Sequence, residues 1–365
     1  MNNIEDIYEL SPVQQGILFH CLYAPESAVY FEQSDCIFEG NLNIPAFEQA
    51  WQQVFQRHAV LRTSFYWEDL EKPVQAVQRS VKLPLNLEDW RGFSSSKQQE
   101  LLENLFKKDW HNDLNLSIAP LIRLVLIRLS DNVFKFICRY SHLIMDGWSL
   151  SILISDFFLL YESLCNGQRV DLQPSRPFGD YIGWLQSQDL SKAEIFWRKM
   201  LHGFSTPNRL WIEKNVVDNK SPNYKERGLK LPARVTAELQ SLSRNRNLTL
   251  NTLLQGVWAL LLSRYSGDTD IIFGVTVSGR PAVLKGIESM VGLFINTLPI
   301  RMRISTEISC ESFLKNLQDQ QIELGEYEYS PLVEVQKWSE LPPGQPLFEY
   351  ILIFENYPSD KSFQP

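Results

Sequence analysis

A change of hydrophobic period within residues 133–165 constrains this chain more than any other feature. The run VFKFICRY alternates as a strand does, SLSILISDFFLLYESL repeats its apolar residues as a helix does, and the nine residues SHLIMDGWS (141–149) join them. A strand that passes straight into a helix is expected in packed α/β layers. The period-two count puts Phe134, Phe136, Cys138 and Tyr140 on one face, and His142 continues that face while Ser141 looks the other way. The helix stripes Leu150, Leu153, Ile154, Phe157, Tyr161 and Leu164 and is expected to stop at Asn166 and Gly167. A neutral imidazole accepts a proton and returns it, with an ordinary pKa of about 6.5. On spacing alone a hydrogen-bonded core histidine is the commoner outcome.

The chain has 365 residues, room for two domains or one large one, and 44% hydrophobic residues to build a core. Its formal charge of -8 argues against a nucleic-acid binder, because neutralising phosphates takes a basic face. Cys21, Cys36, Cys138, Cys165 and Cys310 show no CxxC spacing, so neither a metal site nor a disulfide framework is expected, and a reducing cytoplasm suits them. The start, MNNIEDIYELSP, lacks the basic and apolar stretches of a secretory signal, and no apolar run is expected to span a bilayer.

Helices are expected over VQQGILFHCL, over PAFEQAWQQVFQRH and over KQQELLENLFKKDW. The second stripes Phe47, Ala50, Trp51, Val54 and Phe55, with Asn43 as a cap before Pro45. Strands are expected over YFEQSDCIF, LRTSFYW and VQAVQRS, and LIRLVLIRL reads as a hairpin with VFKFICRY through Ser130, Asp131 and Asn132. Residues 168–177, QRVDLQPSRP, suit a linker, dividing the chain into modules 1–170 and 171–365. The second module reads as helices over FGDYIGWLQSQ, SKAEIFWRKMLHGF, ARVTAELQSLSRN, TLNTLLQGVWALLLSRYSG and CESFLKNLQDQQIELGEY. Its strands are expected over ERGLKLP, DIIFGVTV, NTLPIRMRIS and LFEYILIFEN.

Several blocks then occur in a telling order: LSPVQQGILFH, RHAVLRTSFYWE, SHLIMDGWS, PFGDYIGWLQSQD, SGRP, VGLFINTLPIR, EYSPLVEVQ and LPPGQPLFEYILIFENYP. Together they resemble the condensation domains of nonribosomal peptide synthetases along essentially the whole chain. The resemblance implies two chloramphenicol-acetyltransferase-like α/β subdomains in a V arrangement, with an active-site tunnel between them. It implies amide formation between a donor acyl or peptidyl thioester and the α-amine of an acceptor aminoacyl thioester. Both substrates would arrive on 4'-phosphopantetheine arms of upstream donor and downstream acceptor peptidyl carrier proteins, beside an adenylation domain. The domain itself would hold no cofactor or metal. SPVQQGILFH and LPPGQPLFE are most similar to the subtype joining an L-configured donor to an L-configured acceptor.

By the same resemblance His142 is the catalytic group, as proton acceptor or as positioning group. Asp146 pairs with Arg280 of SGRP, or caps the following helix. Gly147 is expected where the backbone turns sharply without a Cβ, and Trp148 and Ser149 as packing and capping groups. Arg62 is a structural arginine near the site floor, or an ordinary sheet ion pair. Asn296 donates a hydrogen bond near the thioester, or serves as a turn residue. His20, His58, His111 and His202 are expected to be structural. Two departures stand out: Ser141 replaces the first of the family's two adjacent histidines, and family domains continue past LIFENYP through further strands and a helix. The second module is therefore expected to be incomplete, with an exposed strand edge. A non-catalytic carrier-protein docking module, or an acyltransferase forming esters or using a soluble acceptor, are the alternatives.

Overall fold

The computed structural model describes residues 3–25, 29–107, 114–210 and 226–356. In the first part of the chain lie β1 (Ile4–Glu9), α1 (Pro12–Tyr23), β2 (Phe31–Glu39), α2 (Ile44–Arg57), β3 (Thr63–Tyr66), β4 (Val74–Gln78), β5 (Leu85–Asp89), α3 (Ser95–Lys107), β6 (Ile122–Ser130), β7 (Val133–Ser141) and α4 (Gly147–Cys165). There follow α5 (Phe178–Gln186), α6 (Leu190–Leu201), α7 (Ala233–Asn245), α8 (Leu250–Ser266), β8 (Asp270–Val277), β9 (Asn296–Arg303), α9 (Cys310–Gly325), α10 (Leu332–Lys337) and β10 (Ile351–Leu352). The strands form three sheets, ordered β1-β4-β3, β2-β7-β6-β5 and β10-β8-β9. In the four-stranded sheet β7 runs antiparallel to both β2 and β6, while β5 joins β6 in parallel.

Aromatic packing explains why this sheet carries α2 and α4. Asn43 caps α2 by accepting from the Ala46 N–H at 3.2 Å. That start fixes the helix so that Phe47, Ala50, Trp51, Val54 and Phe55 are all buried, the stripe that the spacing predicts. Phe47 and Trp51 meet Phe136 of β7 at centroid separations of 5.4 and 5.6 Å, and Phe157 of α4 at 4.9 and 4.8 Å. Such pairs add about 0.5–1.5 kcal/mol each beyond the area they bury. Among the described residues α4 is one helix long and apolar enough to cross a membrane by length and composition, where none was expected. In the protein it packs by Leu153, Phe157 and Leu160, and its Asp156 accepts from Arg57 and lies 2.7 Å from His58 Nε2.

The chain packs as two compact units: residues up to 187 with 280–294, and 188–279 with 295–356. A division at 170 would put α5 and the 280–294 segment in the second module. Both pack in the first unit, where the Phe178 and Tyr181 rings meet Phe294 at 5.2 and 4.8 Å. A polar, proline-rich stretch marks where the chain is exposed, and the apolar face of the next helix decides where it packs. The second unit closes its core around β8 and β9 with Trp197, Phe273, Leu298, Ile300 and Leu317.

Three expected strands differ. Residues 226–232 form no strand; Leu229 stands 88% exposed, and alternation without a partner edge makes no ladder. The segment LRTSFYW begins as a 3-10 turn over Ala59–Arg62 and becomes strand only at Thr63. In LFEYILIFEN only Ile351 and Leu352 pair, in parallel with Gly274 and Val275 of β8.

Candidate active site

The period-two count of β7 carries through to the histidine. Phe31 lies opposite Ser141, and one step further the His142 N–H donates to the Tyr30 carbonyl at 2.8 Å, so the imidazole continues the Tyr140 face. The two rings meet edge to face at 6.4 Å. Ser141 turns inward and is fully buried, and its Oγ accepts from the Leu143 N–H at 3.3 Å. The turn is fixed from below by a buried amide pair. Gln14 Nε2 donates to the Leu143 carbonyl at 2.8 Å, and Gln14 Oε1 accepts from Gln75 Nε2 at 2.8 Å. Gln14 also closes the capping box of α1 with Ser11, which explains why SPVQQ sits where it does.

His142 keeps 21% of its side-chain surface accessible. Its Nδ1 is buried and has no hydrogen-bond partner among the described residues. Nε2 lies 4.0 Å from Oε1 of Glu32, a half-exposed carboxylate on β2. Sequence reasoning missed Glu32, because only the register of β2 against β7 brings it here.

Asp146 fulfils both of its expected structural tasks at once. One carboxylate oxygen accepts from the Ser149 N–H at 2.8 Å, capping α4, and from Arg280 Nη2 at 3.3 Å; the other accepts from the Phe294 N–H at 3.0 Å. The side chains of Asp146 and Arg280 are 1% and 5% exposed. Burial pushes the Arg280 pKa down and the Asp146 carboxylate opposes this, leaving a charged guanidinium. Arg280 also donates to the Ile287 and Met290 carbonyls at 2.6 and 2.9 Å and to Ser149 Oγ at 3.0 Å, with Phe294 under its face at 4.0 Å. Ser149 Oγ donates to the Gly292 carbonyl at 2.7 Å and accepts from the Gly292 N–H at 3.0 Å. Asp146 is therefore a tie between the His142 turn and the 280–294 segment. It makes no hydrogen bond to His142.

Gly147 and Trp148 belong to the same helix start, whereas Arg62 and Asn296 bond other residues. Gly147 opens α4 and is not among the glycines with positive φ. Trp148 donates its indole N–H to the Glu288 carbonyl at 3.1 Å. Arg62 is buried, pairs with Glu5 at 2.6 Å and donates to the carbonyls of Phe55, Gln56, Gln78 and Arg79. Asn296 spends both amide N–H groups on the Glu328 and Ser330 carbonyls, at 2.9 and 2.8 Å, in the second unit. His58 lies 2.7 Å from Asp156, His202 pairs with Glu340 at 2.8 Å, and the His20 ring lies against Phe19 and Tyr30. His111 lies outside the described residues. Among the described residues no three His, Cys, Asp or Glu side chains group as a metal site would require. A cavity of 510 Å³ in the second unit, lined by Lys199, His202, Arg301 and Asp319, contains none of the candidate residues.

The Condensation domain family model matches residues 4–364. A linear gramicidin synthase of Brevibacillus parabrevis is 45% identical over 98% of this chain, and bacitracin synthase 3 of Bacillus licheniformis is 36% identical over 98%. The chain spans only 7% and 6% of the length of these two relatives. Among solved structures, a variant of the starter condensation domain of rhizomide synthetase superposes with a TM-score of 0.78 at 20% identity, covering 95% of this chain and 78% of that one. The X-domain from teicoplanin biosynthesis superposes at 0.75, with 21% identity and coverage of 94% and 76%. The fold is the two-lobed α/β fold of the chloramphenicol acetyltransferase type. The chain belongs to the condensation domain family found in nonribosomal peptide synthetases.

Proposed function

We propose that this domain joins a donor acyl or peptidyl thioester to the α-amine of an acceptor aminoacyl thioester, each delivered on the phosphopantetheine arm of a carrier protein. The observation that carries this reading is the partly accessible imidazole of His142, held by its backbone bond to Tyr30 and by the buried Gln14 and Asp146 ties on the turn behind it. An α-amine titrates near 7.7–8.0, so making it neutral at pH 7 costs only about 1 kcal/mol. Its lone pair attacks the thioester carbon and forms the C–N bond. Nε2 of His142 takes the proton the nitrogen sheds, and the C–S bond breaks to release a thiol that recovers that proton. A proton acceptor so placed contributes about 10² to 10⁴ in rate, and holding both tethered substrates lowers the barrier by several kcal/mol more. Asp146, Arg280 and Ser149 act by position. An adjoining adenylation domain would supply the acceptor residue. Loading donor and acceptor carrier proteins and following the amide product by mass spectrometry tests the reading; no amide from any cognate pair would remove it.

A further inference from the structure

We propose that Glu32 and His142 form a two-point receptor for the ammonium group of the acceptor, so that the site selects an amine over a hydroxyl nucleophile. The proposal rests on the acyl-transfer reading above and goes beyond it. Glu32 sits opposite Tyr140 in the β2–β7 ladder, one diagonal step from His142 on the same face. Further along that face the Phe38 ring meets that of Phe136 on the diagonal at 6.2 Å, and at its end stand a carboxylate and an imidazole.

A carboxylate that orients a catalytic histidine binds the ring nitrogen remote from the substrate. Here that nitrogen, Nδ1, is buried with no partner among the described residues, and the carboxylate lies on the Nε2 side. At 4.0 Å the two acceptors are too far apart to bond each other. One nitrogen bearing several N–H groups can reach both at about 3 Å. Glu32 is 46% exposed, so an incoming group can reach it without the fold opening. An ammonium arriving here donates to the Glu32 carboxylate and to His142 Nε2. Losing one proton to solvent frees the lone pair and leaves the imidazole able to take the proton shed on attack, while the amine stays bonded to the carboxylate through a remaining N–H. A hydroxyl brings one donor and no charge, and meets one acceptor too many.

Alanyl and lactyl thioesters of N-acetylcysteamine, which differ only in the α-nitrogen or oxygen, provide the test at pH 6.5, with binding to the intact domain read by calorimetry. The wild type should prefer the alanyl compound by about tenfold or more, the scale of a partly solvated charge-assisted hydrogen bond. In Glu32→Gln, nearly the same size, the preference should fall to about twofold or less, and Glu32→Asp should keep part of it. Equal binding of the two compounds by the wild type, or an undiminished preference in Glu32→Gln, overturns the proposal. So does an equal loss of turnover with both acceptors while the binding preference stays, since Glu32 would then serve the imidazolium alone. Ammonium preference that depends on Glu32, without amide formation from any carrier-bound donor, upholds the receptor and defeats the catalytic reading.

Discussion

At the scale of single residues, the site depends on one buried charge pair more than on its neighbours. Asp146 and Arg280 each bond several partners away from water, so removing either leaves an uncompensated charge; Asp146→Ala and Arg280→Ala should each cost about 3–5 kcal/mol in urea denaturation. The double variant should cost clearly less than the sum, because the residues share a network. A loss below about 0.5 kcal/mol in Arg280→Ala would show the pair to be incidental. Ser141 behaves differently. By the sequence resemblance it takes the place of a first histidine, yet it faces inward and its hydroxyl accepts one bond, from the Leu143 N–H. Ser141→Ala should therefore cost about 1 kcal/mol of stability and leave turnover close to that of the wild type; a collapse of turnover in a folded Ser141→Ala would give the serine a chemical role.

At the scale of elements, α2 and α4 are clamped by a polar cluster beside their aromatic seam. Burial holds the His58 pKa below its ordinary value despite the neighbouring carboxylate. For Asp156 the bonds from His58 and Arg57 outweigh burial and hold its pKa low. A folded pKa below the unfolded one adds stability that is present above the unfolded value and lost on acidification. For His58 the loss begins below about pH 6.5, and for Asp156 below about pH 4. Thermal melts should fall between pH 7 and pH 5 in the wild type, and His58→Gln should flatten that fall; an unchanged slope would contradict the assignment. Gly292 makes a second sensitive point, because a Cβ there would run into the Phe178 ring. Gly292→Ala should lower the melting temperature, and pairing it with Phe178→Leu should recover part of the loss. The long amphipathic helices and the β6–β7 hairpin were legible in the sequence because their periods and turn residues are local. β1 and β5 were not: β1 owes its existence to β4, and its charged run IEDIYE hides the pattern. His142 could be placed by counting along β7, whereas Glu32 needed the β2 register. The 280–294 segment carries no period at all, and its place comes from the bonds that Asp146 and Ser149 make to it.

At the scale of the whole molecule, the first unit borrows a segment from far along the chain. Residues 1–187 expressed alone would lack Arg280, Gly292 and Phe294, leaving the Asp146 carboxylate unpaired and the rings of Phe178 and Tyr181 uncovered. That fragment should unfold at lower urea than the first unit does in the full chain, and a synthetic peptide of residues 280–294 should raise its midpoint. A fragment as stable as the intact unit would show the segment to be an ornament. The ordered blocks of sequence map onto this arrangement: SPVQQ supports the turn after His142, PFGDY and VGLF pack together, and SGRP supplies the buried charge. These supports converge on one imidazole. The most direct measurement is single-turnover amide formation from a loaded donor carrier and a loaded acceptor carrier, comparing the wild type with His142→Ala of matched melting temperature. The rate should fall by about a hundredfold or more; amide made by His142→Ala at the wild-type rate would contradict the account.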